Sequence, residues 1–243
     1  MANFQKHVEV AAISSGLAST TLLAANLISP VESVFLWLAG SFAGILPDID
    51  SDNSTALKII FSLVTLFAVV CALSASGING SLLEIWGLII VSFMVVNFVV
   101  RPMFEKFTVH RGVFHSQLAA CFFAVLAVVL TDLCTSFSIV MCWLTGAFVL
   151  LGYLSHLLLD EIYSVDFMNV EVKRSFGTAL KPIEFKYPYA SASMALLTVG
   201  LGFLTPDLEP FSRQVLSSEG IAQIKNAIFP FIESNVSAGA SPR

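Results

Sequence analysis

Charge is scarce in this sequence. Only 12% of its 243 residues are charged, about half the share of roughly 25% that soluble domains carry. The 12 Lys and Arg and the 17 Asp and Glu leave a formal net charge of −5. This composition excludes an ordinary soluble enzyme, a disordered chain and a nucleic-acid binder with a basic face. We therefore expect no direct binding of nucleic acid.

Cysteine is also scarce, and its spacing carries no chemical signal. No two of the four cysteines form a Cys-x-x-Cys pair, so the sequence predicts neither a zinc knuckle nor a disulfide framework. All four lie in or at the ends of apolar runs, where we interpret them as small hydrophobic residues in helices. They are Cys71, Cys121, Cys134 and Cys142.

Hydrophobic residues make up 56% of the chain, and 21 of them are Phe. Several apolar segments approach the roughly 20 residues that a helix needs to cross the hydrocarbon core. We predict an all-α, polytopic transmembrane helix bundle with six spans and a candidate seventh. The six are 8–28, 33–46, 57–76, 82–100, 113–133 and 137–159, and the seventh is 190–204. We divide the chain into a bundle (1–188) with a flap (160–188), an extra transmembrane or interfacial helix (189–204) and an amphipathic tail with a disordered end (205–243).

Basic residues lie at one set of span ends, which the positive-inside rule assigns to the cytoplasm. The turns at 29–30, 77–81 and 134–136 contain no Lys or Arg. Six spans then place the N-terminus on the cytoplasmic side. The basic residues at this end are Lys6, Lys58, Arg101, Lys106, Arg111, Lys173, Arg174, Lys181 and Lys186.

All four histidines and several acids lie near the same span ends. Ionisable groups are costly in a membrane bundle and tend to mark function. Alternating spans bring these distant segments to one face, so we predict a shared metal site on the cytoplasmic side. The candidate ligands are His7, Asp48, Asp50, His110, His115, His156 and Asp160.

The local spacing of these residues suits metal binding. His156 and Asp160 are four residues apart and share one helix face, a usual half-site for zinc, manganese or iron. After Pro47, an extended stretch would point Asp48 and Asp50 the same way. Gly112 allows a tight turn, so the flanking His110 and His115 could face one centre. Two positions in the ligand set stay open: Asp52 could replace Asp50, and Glu9 could replace or join His7.

Seven ligands exceed one tetrahedral site. They fit two divalent metals, zinc or manganese, bridged by a carboxylate, as in phosphoester hydrolysis. Asp48, Asp50 or Asp160 could bridge the ions or accept a proton. Arg111 could hold a phosphate oxygen through paired hydrogen bonds.

Four sequence segments together resemble the YdjM-like family, whose members are described as inner-membrane-associated metal-dependent hydrolases and sometimes as LexA-binding. The resemblance covers about residues 1–185 and implies hydrolysis and a bacterial inner-membrane location. It departs from many relatives at Phe114, where they carry Thr, so no role rests on a hydroxyl there. The segments are an N-terminal His, Leu-Pro-Asp-Ile-Asp (46–50), His-Arg-Gly-x-x-His-Ser (110–116) and Gly-Tyr-Leu-Ser-His-Leu-Leu-Leu-Asp (152–160).

Our leading expectation is a membrane-bound metal-dependent hydrolase that acts on a phosphoester of a lipid or lipid-linked substrate. Its partners would be membrane lipids, that substrate and a cytosolic protein if one is recruited. A metal-ion transporter or sensor is the first alternative, although transport sites usually lie near the midplane at broken helices. The second is a membrane-anchored interaction protein with a structural metal.

Overall fold

The computed structural model describes residues 4–50, 55–76, 81–102, 112–166, 171–172 and 180–229. The regular secondary structure of these residues is helical apart from one antiparallel pair of two-residue strands, which confirms the predicted all-α class. The strands are β1 (Val165–Asp166) and β2 (Glu171–Val172). The helices are α1 (Phe4–Ala24), α2 (Pro30–Ala43), a 3-10 helix (Leu46–Asp50), α3 (Thr55–Ser76), α4 (Leu82–Val95) with a π-helical turn (Val96–Val100), α5 (Gln117–Cys134), α6 (Ile139–Ile162), α7 (Pro188–Gly202), α8 (Glu209–Gln214) and α9 (Ser218–Ile228).

Serine residues set where several helices begin. The Ser29 hydroxyl accepts the backbone N–H of Glu32, and the Glu32 carboxylate accepts the N–H of Ser29. Ser81 and Glu84 form the same reciprocal pair before α4. Each pair satisfies N–H groups that the first turn of a helix leaves without a carbonyl partner. Ser116 caps α5 in the simpler way, which starts that helix after the predicted residue 113 and leaves 112–116 as a turn.

Within the described part of the chain, three helical stretches are long and apolar enough to cross a membrane: 82–100, α5 and α6. Their positions in the bundle differ, because 61% of the apolar window of α6 is buried against only 6% of that of 82–100. Helix α6 is therefore the central helix, and 82–100 lies at the periphery. Helix α2 and residues 57–70 of α3 are apolar but shorter. The six-span arrangement, and the crossing of the 15-residue α7, stay predictions.

Helices α1, α2 and α5 pack around α6. Glycine permits the closest approach, since a Cβ on Gly152 of α6 would collide with the carbonyl oxygen of Gly40 in α2. A Cβ on Gly40 would in turn collide with the Ser15 side chain of α1. Small residues let membrane helices approach closely enough for van der Waals packing to hold them together. These contacts bring the polar ends of α1, α2 and α6 to one end of the bundle.

Helices α8 and α9 close the opposite end of the bundle. Helix α7 packs along α5, and the Trp143 indole of α6 donates to the Asp207 carbonyl at 3.3 Å. Helix α8 contacts α6 and α9 contacts α1. Val215, between α8 and α9, is buried in an apolar cluster with Leu22, Leu36, Met141, Leu144 and Phe148. The predicted amphipathic tail thus packs on the bundle as two short helices over 209–228. Its predicted disordered end lies outside the described residues.

One local prediction was wrong. Residues 46–50 form a 3-10 helix and not an extended stretch, and the Asp48 N–H donates to the Ile45 carbonyl at 3.2 Å. Pro47 fits near the beginning of a helical turn, where the missing N–H costs little. Three residues complete a 3-10 turn, so the alternation argument that paired Asp50 with Asp48 does not apply.

Candidate metal centre

Five of the predicted ligands meet at one end of the bundle. We call them the His–Asp cluster, and the end that holds them the site end. His156 is fully buried, His7 is 3% exposed and Asp160 is 6% exposed. The side chains of His115 and Asp48 are 15% and 24% exposed, so solvent reaches the cluster from their side. The cluster consists of His7, Asp48, His115, His156 and Asp160.

The ligand atoms form two overlapping groups. In each group the three atoms lie within 4.8 Å of one another. One group joins His7 and Asp160 to His156, and the other joins Asp48 and His115 to the same His156. The Asp160 carboxylate faces both groups, with Oδ1 at 3.3 Å from His7 Nε2 and Oδ2 at 3.6 Å from His156 Nε2. A carboxylate so placed can bridge two positions.

A backbone carbonyl fixes which nitrogen of His156 faces the cluster. Its Nδ1 lies 2.7 Å from the Gly44 carbonyl oxygen and donates its proton there, since a carbonyl only accepts. The Nε2 atom therefore carries the lone pair, and it has no hydrogen-bond partner among the described residues. A backbone carbonyl that accepts the other ring proton in this way is the usual support of a metal-binding histidine.

Two ligand–ligand distances in the cluster, those from Asp160 to His7 and to His156, fall within the range of a metal coordination shell, and the other three are slightly longer. Nε2 of His156 lies 3.7 Å from Asp48 Oδ1, and Nε2 of His115 lies 3.8 Å from both Asp48 Oδ1 and Asp160 Oδ2. These separations are long for hydrogen bonds. Ligands about 2.0–2.2 Å from a tetrahedral zinc ion lie about 3.3–3.6 Å from one another. The residues present therefore fit a divalent cation with mixed imidazole and carboxylate ligands.

Close helix contacts hold His7 against His156. Their rings stack with centroids 3.7 Å apart and planes 14° from parallel. Gly44 makes the approach possible, because a Cβ there would collide with Ala11, one turn beyond His7 on α1. The Ser14 and Ser155 hydroxyls, 3.1 Å apart, join the same two helices.

His115 alone in the cluster comes from a turn. Gly112 has φ +117°, a conformation that glycine adopts readily and other residues rarely do. The Tyr153 hydroxyl of α6 donates to the Phe114 carbonyl at 2.5 Å. Ser116 then closes the turn, with its hydroxyl donating to the Val113 carbonyl at 2.7 Å.

The C-terminal part of the predicted flap packs beside the same turn. Backbone N–H groups at the start of α5 donate to carbonyls of this segment: Gln117 N–H to Lys181 and Leu118 N–H to Pro182, each at 3.0 Å. The Lys181 ammonium bonds the Glu184 carboxylate. Burial acts to raise the pKa of Glu184, but hydrogen bonds from Lys181 and from the Lys186 N–H outweigh it and hold this pKa below its ordinary value. The predicted flap is thus tied to the helix that follows His115.

The other predicted site residues have different outcomes. His110 and Arg111, together with the alternative Asp52, lie outside the described residues. The backbone of Asp50 belongs to the 3-10 helix. Glu9, the alternative to His7, is engaged elsewhere, with its carboxylate 3.0 Å from Lys6 and 2.9 Å from the Gln5 amide.

Sequence reasoning missed two supporting groups, the Gly44 carbonyl and the Tyr153 hydroxyl. A backbone carbonyl leaves no mark on residue type. Tyr153 lies in an apolar helix three residues before His156, where a tyrosine is normally interpreted as a core residue. Only its full burial together with a bond to the residue before His115 reveals its position in the site.

An apolar helical bundle with membrane-compatible spans and a buried His–Asp cluster defines an integral membrane protein with a candidate metal centre. The chain belongs to the YdjM inner membrane protein family, whose model matches residues 1–209. The resemblance in the sequence motifs is thereby confirmed. No curated protein and no solved structure matches the chain significantly.

Proposed function

We propose that this protein is a membrane-bound metal-dependent hydrolase that cleaves a phosphoester of a lipid or lipid-linked substrate. The observation that carries the proposal is the convergence of three imidazoles and two carboxylates from four chain segments. His156 Nε2, buried and without a hydrogen-bond partner among the described residues, is the strongest single support. A buried polar atom left in this state is costly unless a ligand satisfies it.

The five residues would hold zinc or manganese, as one or two ions. When bound, such a cation supplies Lewis acidity that polarises the bond to be cut and makes water a better nucleophile. Asp48 is the more exposed of the two carboxylates and lies where substrate could enter, so we assign it the role of proton acceptor. Asp160 is buried between the histidines and is better placed to bridge ligand positions. Arg111 and Asp50 retain their predicted roles of phosphate binding and catalysis.

The site end would face the cytoplasm in a six-span bundle. Among the described residues, Lys6, Lys58, Arg101, Lys181 and Lys186 belong to the helix ends and segments of this side. This supports the positive-inside orientation. A site at the membrane boundary is directly accessible to the phosphate of a lipid headgroup. For this reason we propose a lipid or lipid-linked substrate.

The test begins with the protein purified in detergent. Bound metal is measured by mass spectrometry, and hydrolysis of phospholipid and lipid-linked phosphoesters is compared for wild type, His156→Ala and chelated wild type. We expect metal and activity to be lost together. Activity that survives the loss of both His156 and metal would contradict the proposal. Metal flux into liposomes in place of hydrolysis would instead support a transporter.

A further inference from the structure

We infer that Tyr153 is a positioning residue for His115, with Gln117 supporting the same turn from its exposed side. The inference rests on the proposed metal centre. His115 lies between the two carboxylates of the cluster, since its Nε2 is equidistant, at 3.8 Å, from Asp48 Oδ1 and Asp160 Oδ2. A small displacement of this ring would therefore move its Nε2 out of reach of an ion held by either carboxylate.

The turn that carries His115 needs external support. His7, His156 and Asp160 lie within long helices and Asp48 in a 3-10 helix, whose own hydrogen bonds fix the backbone. The backbone at 112–116 is a turn, with helical hydrogen bonds beginning only at α5. Its position relative to α6 must then come from contacts between segments.

Tyr153 provides such a contact directly from the helix that carries His156. Its side chain is fully buried, its ring stacks on Phe123 of α5 at 5.7 Å, and its hydroxyl reaches the carbonyl of Phe114, the residue before His115. The ring packing fixes the direction of the hydroxyl. One hydrogen bond thus ties the His115 backbone to α6, three residues from His156.

Gln117 supports the turn from the other side. Its side-chain amide donates to the Leu180 carbonyl at 3.0 Å, beside the backbone bonds that join α5 to Lys181 and Pro182. Gln117 is exposed, so its replacement leaves the core intact. The two bonds involve residues before and after His115 in the chain, so the loss of either should displace the His115 ring.

The experiment measures zinc dissociation constants of the detergent-purified full chain. We expect Tyr153→Phe, which removes one oxygen and keeps the ring, to weaken zinc binding about tenfold, as is usual when a supporting partner of a ligand is lost. Gln117→Ala should weaken it roughly threefold, the scale of one neutral hydrogen bond. Thr145→Val is the matched control, because Thr145 is a buried α6 residue whose hydroxyl bonds the Met141 carbonyl of its own helix. It should change zinc binding less than about twofold.

A double-mutant cycle separates positioning from general structural weakening. In a His115→Ala background, neither Tyr153→Phe nor Gln117→Ala should weaken zinc binding further, because the ligand they position is gone. Wild-type affinity in Tyr153→Phe, or additive losses in the His115→Ala background, would overturn the inference alone. Wild-type protein that binds no metal would overturn the proposed function together with it. If Tyr153→Phe does not purify as folded protein, the Gln117 variant decides by the same comparison.

Discussion

The two ends of the bundle use the same helices for opposite purposes. At the far end, Leu22 of α1, Leu36 of α2 and Met141 of α6 form an apolar cluster that the C-terminal helices cover. At the site end, α1 and α6 carry His7 and His156, buried equally well but polar. At the far end, each buried apolar side chain stabilises the bundle through van der Waals packing. The site end has to offset the burial of polar atoms, and it does so only in part among the described residues.

This difference indicates that the far end contributes stability, whereas the site end contributes metal binding. Substitutions at the far end should change the free energy of unfolding and leave the metal centre unaltered. Substitutions within the His–Asp cluster should do the reverse. Helix α6 runs through both ends, so it is the element on which the division can be tested most closely.

The largest expected effect is that of His156→Ala at the site end. It removes the atom that both ligand groups share, so zinc or manganese binding should weaken more than about 100-fold, beyond the loss seen for supporting residues. Isothermal titration of the purified protein measures this. Thr145→Val, N-terminal to His156 on the same helix, is the control and should bind metal as wild type does. Equal metal binding in wild type and His156→Ala would refute the assignment of the centre.

At the far end, Leu36→Ala should destabilise the protein by about 2–5 kcal/mol, because Leu36 is fully buried and the substitution leaves a cavity. Its metal dissociation constant should stay within about twofold of wild type, as expected for independent sites. Denaturant unfolding in detergent and metal titration test the two halves of this prediction. A large loss of metal affinity in Leu36→Ala would show that the two ends are coupled.

Gly44→Ala should have an intermediate effect on the metal centre. The backbone of Gly44 is right-handed helical, φ −64° and ψ −9°, so alanine is conformationally allowed and only its Cβ matters. That Cβ would push α2 from Ala11, shifting His7 and the carbonyl that orients His156. We expect metal affinity to fall about tenfold. Gly200→Ala is the matched control, because a Cβ on Gly200 meets nothing within 4 Å; similar affinities in the two variants would contradict the role of Gly44.

The smallest effect should come from Glu184→Gln, at about 0.5 kcal/mol. The pKa of Glu184 is lowered in the folded protein, so its carboxylate stabilises the segment that packs on α5 above its ordinary pKa of 4.5. This contribution is lost as the pH falls through the lower folded pKa. Thermal unfolding of wild type and variant should therefore differ at pH 7 and converge only below pH 4.5. A difference that is already lost near pH 6 would assign the effect to another group.

The helices were largely predictable from sequence, because apolar length and serine caps are local signals. The fourth predicted segment, 82–100, coincides with α4 and its π-helical turn. Errors arose where a local signal was ambiguous. Pro47 indicates a break in α2 but does not say whether an extended stretch or a 3-10 helix follows. The start of α5 depended on whether Ser116 or an earlier residue acts as the cap.

The sequence by itself determined the residue types of the site and their placement near helix ends, since polar side chains within apolar runs are visible without any structure. The tertiary structure decided which of them meet, how deeply they are buried and which nitrogen of His156 faces its neighbours. Those properties depend on distances between helices, set by the contacts at Gly40, Gly44 and Gly152 and by the bond from Tyr153 to Phe114. Such contacts join residues far apart in the chain, so no local pattern encodes them.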